Sequence, residues 1–439
     1  MMTWNQMSGR APRRGRRTRM HWVAMTAAVL SVAASVTACN TDQLLDVNAP
    51  DRVPAETLDD PSQAALIVNG AVADFECAYA SYDLAQAIMS DEFSDAQLGA
   101  ASWSYDRRDF SSSPGGIFGE NGCTSSQNPG IYVPLSTARW QADNALTKLQ
   151  GWTDEEVGSN RTSLIATSAL YAGFSYSTMG MIMCSAAFDL QAPVDQQAMF
   201  ALAEDRFTTA IEAATQAGGM DDVINAALVG RARVRLFQGN TAGAIADAEL
   251  VPAGFEYDAT YAADQERRYN RVYSATTQFG LYTVAPESRG IETEGAEDPR
   301  SKTELKPTNA SDPAEDIWAP TKYTGDESPI RIASYDEARL ILAEAKGGSD
   351  AVSIINDLRG DYGVTAYSGP TDAASIQALI AHERRVTLFA EGFRQYDIQR
   401  FQIPQVPAPG TPFPKGGFYG TTTCLPLPDI ERFNNPNAG

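Results

Sequence analysis

The sequence predicts a mainly α protein: helix pairs packed as an α-α superhelix, interrupted by irregular, loop-rich insertions. Three observations predict it. Apolar residues recur three and four apart through most of the chain beyond residue 60. Two segments share the grammar of a helical hairpin. Two stretches, about 95–134 and 252–330, lose the helical period and collect aromatic side chains among Gly, Pro and charged residues.

Asp60-Pro61-Ser62 starts the first helix: Pro stands in the first turn, where a missing N–H costs nothing. Ala64, Leu66, Ile67, Val72 and Phe75 carry its apolar face, and residues 82–93 continue it. Residues 98–134 are rich in Ser, Gly and Asn, hold Trp103, Tyr105 and Phe110, and read as a long loop or small lobe. Residues 136–149 return to helix, with Ala138, Ala142, Ala145, Leu146 and Leu149 on one side. A second, very apolar helix covers 161–183. Segments 195–217 and 223–237 make another pair, and 241–248 begins one more. Beyond the irregular 252–330, helices resume at 335–346, 349–359 and 375–399. The tail after Gln402 is Pro-rich, and residues 418–427 read as extended.

The repeat is faint. RARVRLFQGNTAGAIADAE at 231–249 runs apolar helix, Gly-Asn turn, Ala-rich helix. Residues 338–358 follow the same order, with Gly347-Gly348 at the turn and Ala351, Ile354 and Ile355 after it. Small residues let two helices approach closely, and Gly closes the turn between them. Pairs of this kind stack into TPR-like solenoids.

Composition excludes several functions. The 439 residues hold 34 Lys and Arg against 55 Asp and Glu, a net charge of −21. Such a body repels phosphate backbones and anionic membrane surfaces, so nucleic acid is a poor partner. The chain has only His21 and His382, which argues against His-rich zinc sites. No P-loop, HExxH, GxSxG or dinucleotide glycine pattern occurs, and no cofactor or metal is expected. Asp and Glu are numerous, so counting leaves a glycosidase carboxylate pair open.

Residues 1–38 read as a lipoprotein signal peptide. Arg10, Arg13, Arg14, Arg16, Arg17 and Arg19 precede an apolar run over 22–36. That run is too short to cross a bilayer, which needs ~20 residues. It ends in Val36-Thr37-Ala38-Cys39, similar to the bacterial lipoprotein cleavage box, where the Cys becomes the lipid-bearing N-terminus. Residues 39–61 would then be a lipidated tether, and 62–439 a single domain. Cys77, Cys123, Cys184 and Cys424 follow. In an exported chain they form either two disulfides, in any of three connectivities, or buried free thiols.

Three segments occur in a telling order: YDEARLILAEA at 335–345 with INDLR at 355–359, ERRVTLFAEGFRQYDIQR at 383–400, and LPLPDIERFNNP at 425–436. Together they resemble the SusD/RagB family of outer-membrane nutrient-binding lipoproteins, as does LLDV at 44–47 behind Cys39. Thr387 departs from the family, which usually has an acid there, and residues 95–330 match only in layout. The resemblance implies a helical body, no catalysis, and a ligand held on loops outside the repeats. It also implies a lipid-anchored place on the outer membrane, facing the cell surface. The implied partners are a SusC-like TonB-dependent transporter and an oligosaccharide or peptide ligand.

Sugars lay their C–H faces on Trp or Tyr rings while polar side chains take the hydroxyls. Trp103, Tyr105, Trp318 and Tyr323, all in irregular segments, are therefore the candidate ligand-binding residues, with Asp91, Asp106 and Arg107 as polar contacts. Within 383–400, the spacing of Glu383, Arg384, Glu391, Arg394, Asp397 and Arg400 predicts ion pairs along or between helices. Val386, Phe389, Phe393 and Tyr396 make an apolar stripe. His382 beside them reads as an ordinary helix residue. Two other functions stay open: a lipid-anchored glycoside hydrolase using paired carboxylates, and a periplasmic TPR scaffold binding only protein.

Overall fold

The computed structural model describes residues 59–99, 103–110 and 117–438. The expected signal peptide, the lipidated Cys39 and nearly all of the tether lie outside the described residues. Helix α1 is Ala64–Met89, led in by a 3-10 turn whose cap, Asp60, accepts the Ser62 N–H at 2.9 Å. Its second half is buried all round, with Phe75, Tyr79, Tyr82, Ile88 and Met89 inside. Then follow α2 (Tyr132–Gly151), α3 (Arg161–Ile182), α4 (Gln196–Ala217), α5 (Asp221–Phe237) and α6 (Thr241–Ala248). After the second insertion come α7 (Tyr335–Lys346), α8 (Gly348–Asp361), α9 (Ala373–Thr387) and α10 (Arg394–Arg400).

Each helix from α1 to α8 packs on the next, and α6 packs on α7 although the second insertion separates them in sequence. The two hairpins of the faint repeat thus become neighbours in one stack, as a solenoid requires. Glycine sets the closeness of that stack. A Cβ at Gly173 of α3 or Gly230 of α5 would lie under 3 Å from the Phe207 ring, and one at Gly180 would strike Phe200. Two large rings of α4 therefore sit where their neighbours have no side chain. Among the described residues, no helix is long and apolar enough to cross a membrane.

The irregular stretches resolve into short antiparallel ladders. β1 (Phe93–Asp95) pairs with β3 (Tyr282–Val284), β2 (Glu256–Ala259) with β6 (Ile330–Ser334), and β4 (Thr303–Asn309) with β5 (Asp316–Pro320). Runs of three to seven residues are too short to print an alternating pattern. Of the three connectivities, the structure has Cys77–Cys123 and Cys184–Cys424.

One expected helix is wrong. Residues 375–399 do not form a single rod: α9 ends at Thr387 and α10 begins at Arg394, with Ala390 at φ 54° and Gly392 at φ 92° between them. The break is held open by side chains from elsewhere. Lys322 Nζ donates to Phe389 O at 2.6 Å and Tyr323 OH to Ala390 O at 2.6 Å. Tyr79 OH donates to Glu391 O at 2.8 Å and Tyr82 OH to Gly392 O at 2.5 Å. Four successive carbonyls thus find donors outside the helix, so leaving it costs no hydrogen bonds. A Cβ at Gly392 would lie 2.8 Å from the Tyr82 ring, so this position combines positive φ with a close approach.

The charged residues of this segment pair mostly across elements. Glu383 sits between Arg300 (2.7 Å) and Arg359 (2.8 Å), and Arg394 grips both oxygens of Asp91 at 2.6 and 2.7 Å. Val386, Phe389, Phe393 and Tyr396 are all buried. His382 shares a 2.7 Å hydrogen bond with Thr293 Oγ1 and does not line the cleft described next.

Candidate functional site

Three segments make most of the wall of a cleft of about 230 Å³, which Asp106 and Glu315 complete. The first is the end of α1 with β1, supplying Asp91, Phe93 and Asp95. The second is the turn after β3, supplying Glu287 and Arg289. The third is the Pro-rich C-terminal loop, supplying Phe413, Lys415 and Tyr419. Ser288 Oγ donates to Asp91 O at 2.6 Å and Ala285 N–H to Glu92 O at 2.9 Å, which docks the second on the first.

Two cations clamp the third segment. Lys415 Nζ donates to Asp95 O at 2.6 Å and Gln97 O at 2.8 Å, with the Asp312 carboxylate 3.7 Å away. Arg108 donates to the carbonyls of Val406 and Pro407 and lies 5.0 Å from the Tyr419 ring centre. Gly420 N–H donates to Arg107 O at 2.7 Å. A Cβ at Gly420 would fall 2.3 Å from Arg108 O, so only glycine permits this approach.

Neither Trp103 nor Trp318 lines this cleft, but each neighbours a residue that does. Trp103, half-buried, donates from Nε1 to Gln97 O at 3.3 Å, and its ring lies 6.1 Å from Phe413. Trp318, also half-buried on β5, lies with its ring centre 5.4 Å from the Arg289 guanidinium. Its backbone N–H donates to Thr283 Oγ1 at 2.8 Å. Phe413 and Arg289 both line the cleft, so each Trp adjoins it through one lining residue.

Tyr105 and Tyr323 are corrections to the expected site. They are 0% and 3% exposed, and their hydroxyls donate to Pro129 O and Ala390 O, each at 2.6 Å. A tyrosine in an irregular segment buries readily when a carbonyl is there to take its O–H. Both are buried and neither lines this cleft; Tyr323 reaches only the wall of a separate pocket, beside Lys322, Arg331 and Glu391. Of the expected polar contacts, Asp91 and Asp106 line the cleft. Arg107 stands beside Gly417 of the C-terminal loop and pairs loosely with Asp109 at 4.0 Å. Sequence reading missed Arg289, Phe413, Lys415 and Tyr419. The only signal for the last three was a Pro-rich tail too polar to be a core strand.

The lining is acidic. Asp91, Asp95, Asp106, Glu287 and Glu315 face Arg289 and Lys415. Burial opposes the charge on Asp91, yet Arg394 and Arg385 hold its carboxyl below the ordinary range. Asp106 goes the other way: burial pushes it up to about 7, and the nearby Asp95 charge adds to this. The Asp95 N–H, donating to Asp106 Oδ2 at 2.8 Å, and the charges of Arg108 and Lys415 offset only part.

The sign of the resulting pH dependence is fixed. Between its ordinary 3.8 and about 7, native Asp106 keeps a proton that the unfolded chain has released. Its contribution to stability is full below 3.8 and drains away as pH rises to about 7. Asp106→Asn should therefore gain on the wild type by on the order of 3 kcal/mol between pH 5 and pH 8. Urea unfolding at the two pH values measures this. A constant difference would mean that Asp106 is ionised throughout.

Among the described residues, no cluster of three or more His, Cys, Asp or Glu is placed to hold a metal ion. No family model matches the chain, and no curated protein matches it. Solved structures do. A SusD-like carbohydrate binding protein from Bacteroides vulgatus aligns with a TM-score of 0.64 at 17% identity, over 86% of this chain and 97% of that one. A laminarin binding SusD-like protein gives 0.56 at 16% identity, over 78% and 92%. Surface glycan-binding protein A from Bacteroides fluxus gives 0.60 at 13%, over 77% and 89%. The class so defined is a helical-repeat protein carrying an irregular lobe with a cleft. More particularly, the fold is the SusD-like one, a TPR-like helical body with loop insertions.

Proposed function

We propose that this chain is a binding protein of the SusD/RagB family, not an enzyme, that captures oligosaccharides between Trp103 and Trp318. In this reading Cys39 carries a lipid anchoring it to the outer membrane, facing the cell surface. The ligand passes to a SusC-like TonB-dependent transporter. The observation that carries the proposal is a cleft in a SusD-like fold whose lining residues Phe413 and Arg289 adjoin the half-buried rings of Trp103 and Trp318. Several solved neighbours bear carbohydrate-, laminarin- or glycan-binding names. Rigid rings lose little entropy on stacking against a sugar, and carboxylates and Arg289 can take its hydroxyls. Holding the ligand beside a pore raises its effective concentration there. The acidic lining disfavours uronic acids and leaves neutral glycans or basic peptides.

Trp103→Ala and Trp318→Ala should each weaken binding of a neutral oligosaccharide about tenfold or more. Isothermal titration against a panel of gluco-, xylo- and manno-oligosaccharides measures it. Unchanged affinity in both variants, with folding intact by circular dichroism, would sink the proposed site. One observation favours a second reading as a glycoside hydrolase: Asp106, raised to about 7, and the anionic Asp91 line the same cleft, as an acid and a base would. Release of reducing sugar by the wild type, lost in Asp106→Asn, would establish that reading instead.

A further inference from the structure

Arg289 differs from the other arginines near the cleft. Arg394 and Arg385 are committed to Asp91, and Arg108 to two backbone carbonyls. Among the described residues, Arg289 makes no ion pair, although Glu287, Glu315 and Asp316 stand close enough to act on it. It is held in place from behind. Its Nε donates to Val284 O at 2.7 Å, and one terminal nitrogen reaches Thr283 Oγ1 at 3.5 Å. Thr283, fully buried on β3, also accepts the backbone N–H of Trp318 and donates to Asp316 O at 2.8 Å. One hydroxyl thus contacts both the backbone that carries Trp318 and the guanidinium beside its ring.

We infer that Arg289 is the specificity-determining residue of the cleft: it donates to the hydroxyl oxygens of a neutral sugar and bars cationic ligands from Trp318. The inference rests on the proposed carbohydrate site and narrows its ligand class. Two physical effects support it. A guanidinium fork is planar and rigid, so it can donate to two adjacent hydroxyl oxygens at little entropic cost, while a neighbouring carboxylate accepts their protons. An aromatic face that already carries a cation has lost its attraction for an incoming ammonium group. The acidic lining alone would welcome basic peptides, and Arg289 opposes them at the ring where they would dock.

The experiment compares wild type, Arg289→Met, Arg289→Lys and Trp318→Ala by isothermal titration, with thermal melts to establish folding. The probes are the neutral oligosaccharide panel and tetralysine. Arg289→Met should weaken sugar binding about tenfold and strengthen tetralysine binding. Arg289→Lys keeps the charge and loses the fork, so sugar binding should fall while tetralysine stays excluded. If Trp318→Ala loses the sugar and Arg289→Met keeps it within twofold, the carbohydrate site stands and the role of Arg289 is overturned. If the wild type binds no member of the panel, the carbohydrate reading falls. The role of Arg289 as a donor to sugars falls with it, and the tetralysine arm decides the exclusion: no gain in Arg289→Met overturns that as well.

Discussion

Replacing Asp397 by alanine is expected to lower the free energy of unfolding by about 3–5 kcal/mol. The carboxylate is 2% exposed and receives Arg384 Nε at 2.8 and 2.9 Å and Arg400 Nε at 2.8 Å. Burial pushes its proton affinity up, but Arg384 and Arg400 hold it below the ordinary range, so it serves as an anion at neutral pH. The large effect comes from what the substitution leaves behind. Arg400 keeps the Glu344 carboxylate, whereas Arg384, 2% exposed, has no other carboxylate in its ion pairs. Its Nη2 finds no acceptor among the described residues. A charge stranded there keeps only the Phe393 ring, 5.7 Å away, in place of a carboxylate. Asp397→Asn keeps an acceptor and should cost less. The exposed Lys346–Glu249 pair offers a control: Glu249→Gln should cost under about 1 kcal/mol. Urea unfolding of the three variants reads the ranking. A loss near 1 kcal/mol for Asp397→Ala would mean that water enters and solvates Arg384.

How much of this was legible beforehand follows from where each residue finds its partners. The α5–α6 and α7–α8 hairpins were readable because their signals are local: an apolar stripe, a Gly turn, small residues after it. The break between α9 and α10 was not, because its donors Tyr79, Tyr82, Lys322 and Tyr323 come from remote segments. The ion pairs of 383–400 show the same limit. The spacing found the right residues, yet Glu383 pairs with Arg300 and Arg359 on other elements, and only Arg400–Asp397 joins two residues within a turn. The candidate site divides likewise. Trp103 and Tyr105 stand two apart on one short helical turn, and nothing local says which will be swallowed. Tyr105 is, because Pro129 O waits in the interior to take its hydroxyl. Arg289 carried no signal at all, and Tyr419 only that of a Pro-rich tail, since a cleft wall built from remote segments exists only after folding.

Serine in place of both Cys184 and Cys424 is expected to cost about 5 kcal/mol, and the same change at Cys77 and Cys123 about 4 kcal/mol. The order follows from the unfolded chain. The first bridge closes a span of 240 residues and the second one of 46, so the longer loop regains more freedom when its bond is absent. The longer bridge also has the larger local consequence. It sits in a small pairing where Leu425 N–H donates to Ile182 O and Cys184 N–H donates to Leu425 O, both at 2.8 Å, while Gln395 donates to Thr423 O at 2.7 Å. These contacts fasten the C-terminal segment to the end of α3, directly after the loop whose Phe413, Lys415 and Tyr419 wall the cleft. Loss of the bridge should therefore raise amide exchange through residues 410–425 before it does so in α3 or α4. Denaturant unfolding of the two double variants checks the energies, and exchange mapping checks the locality. If the shorter loop proves the costlier to open, unfolded-chain entropy does not govern these bonds. Native packing around Cys77 would then carry the difference.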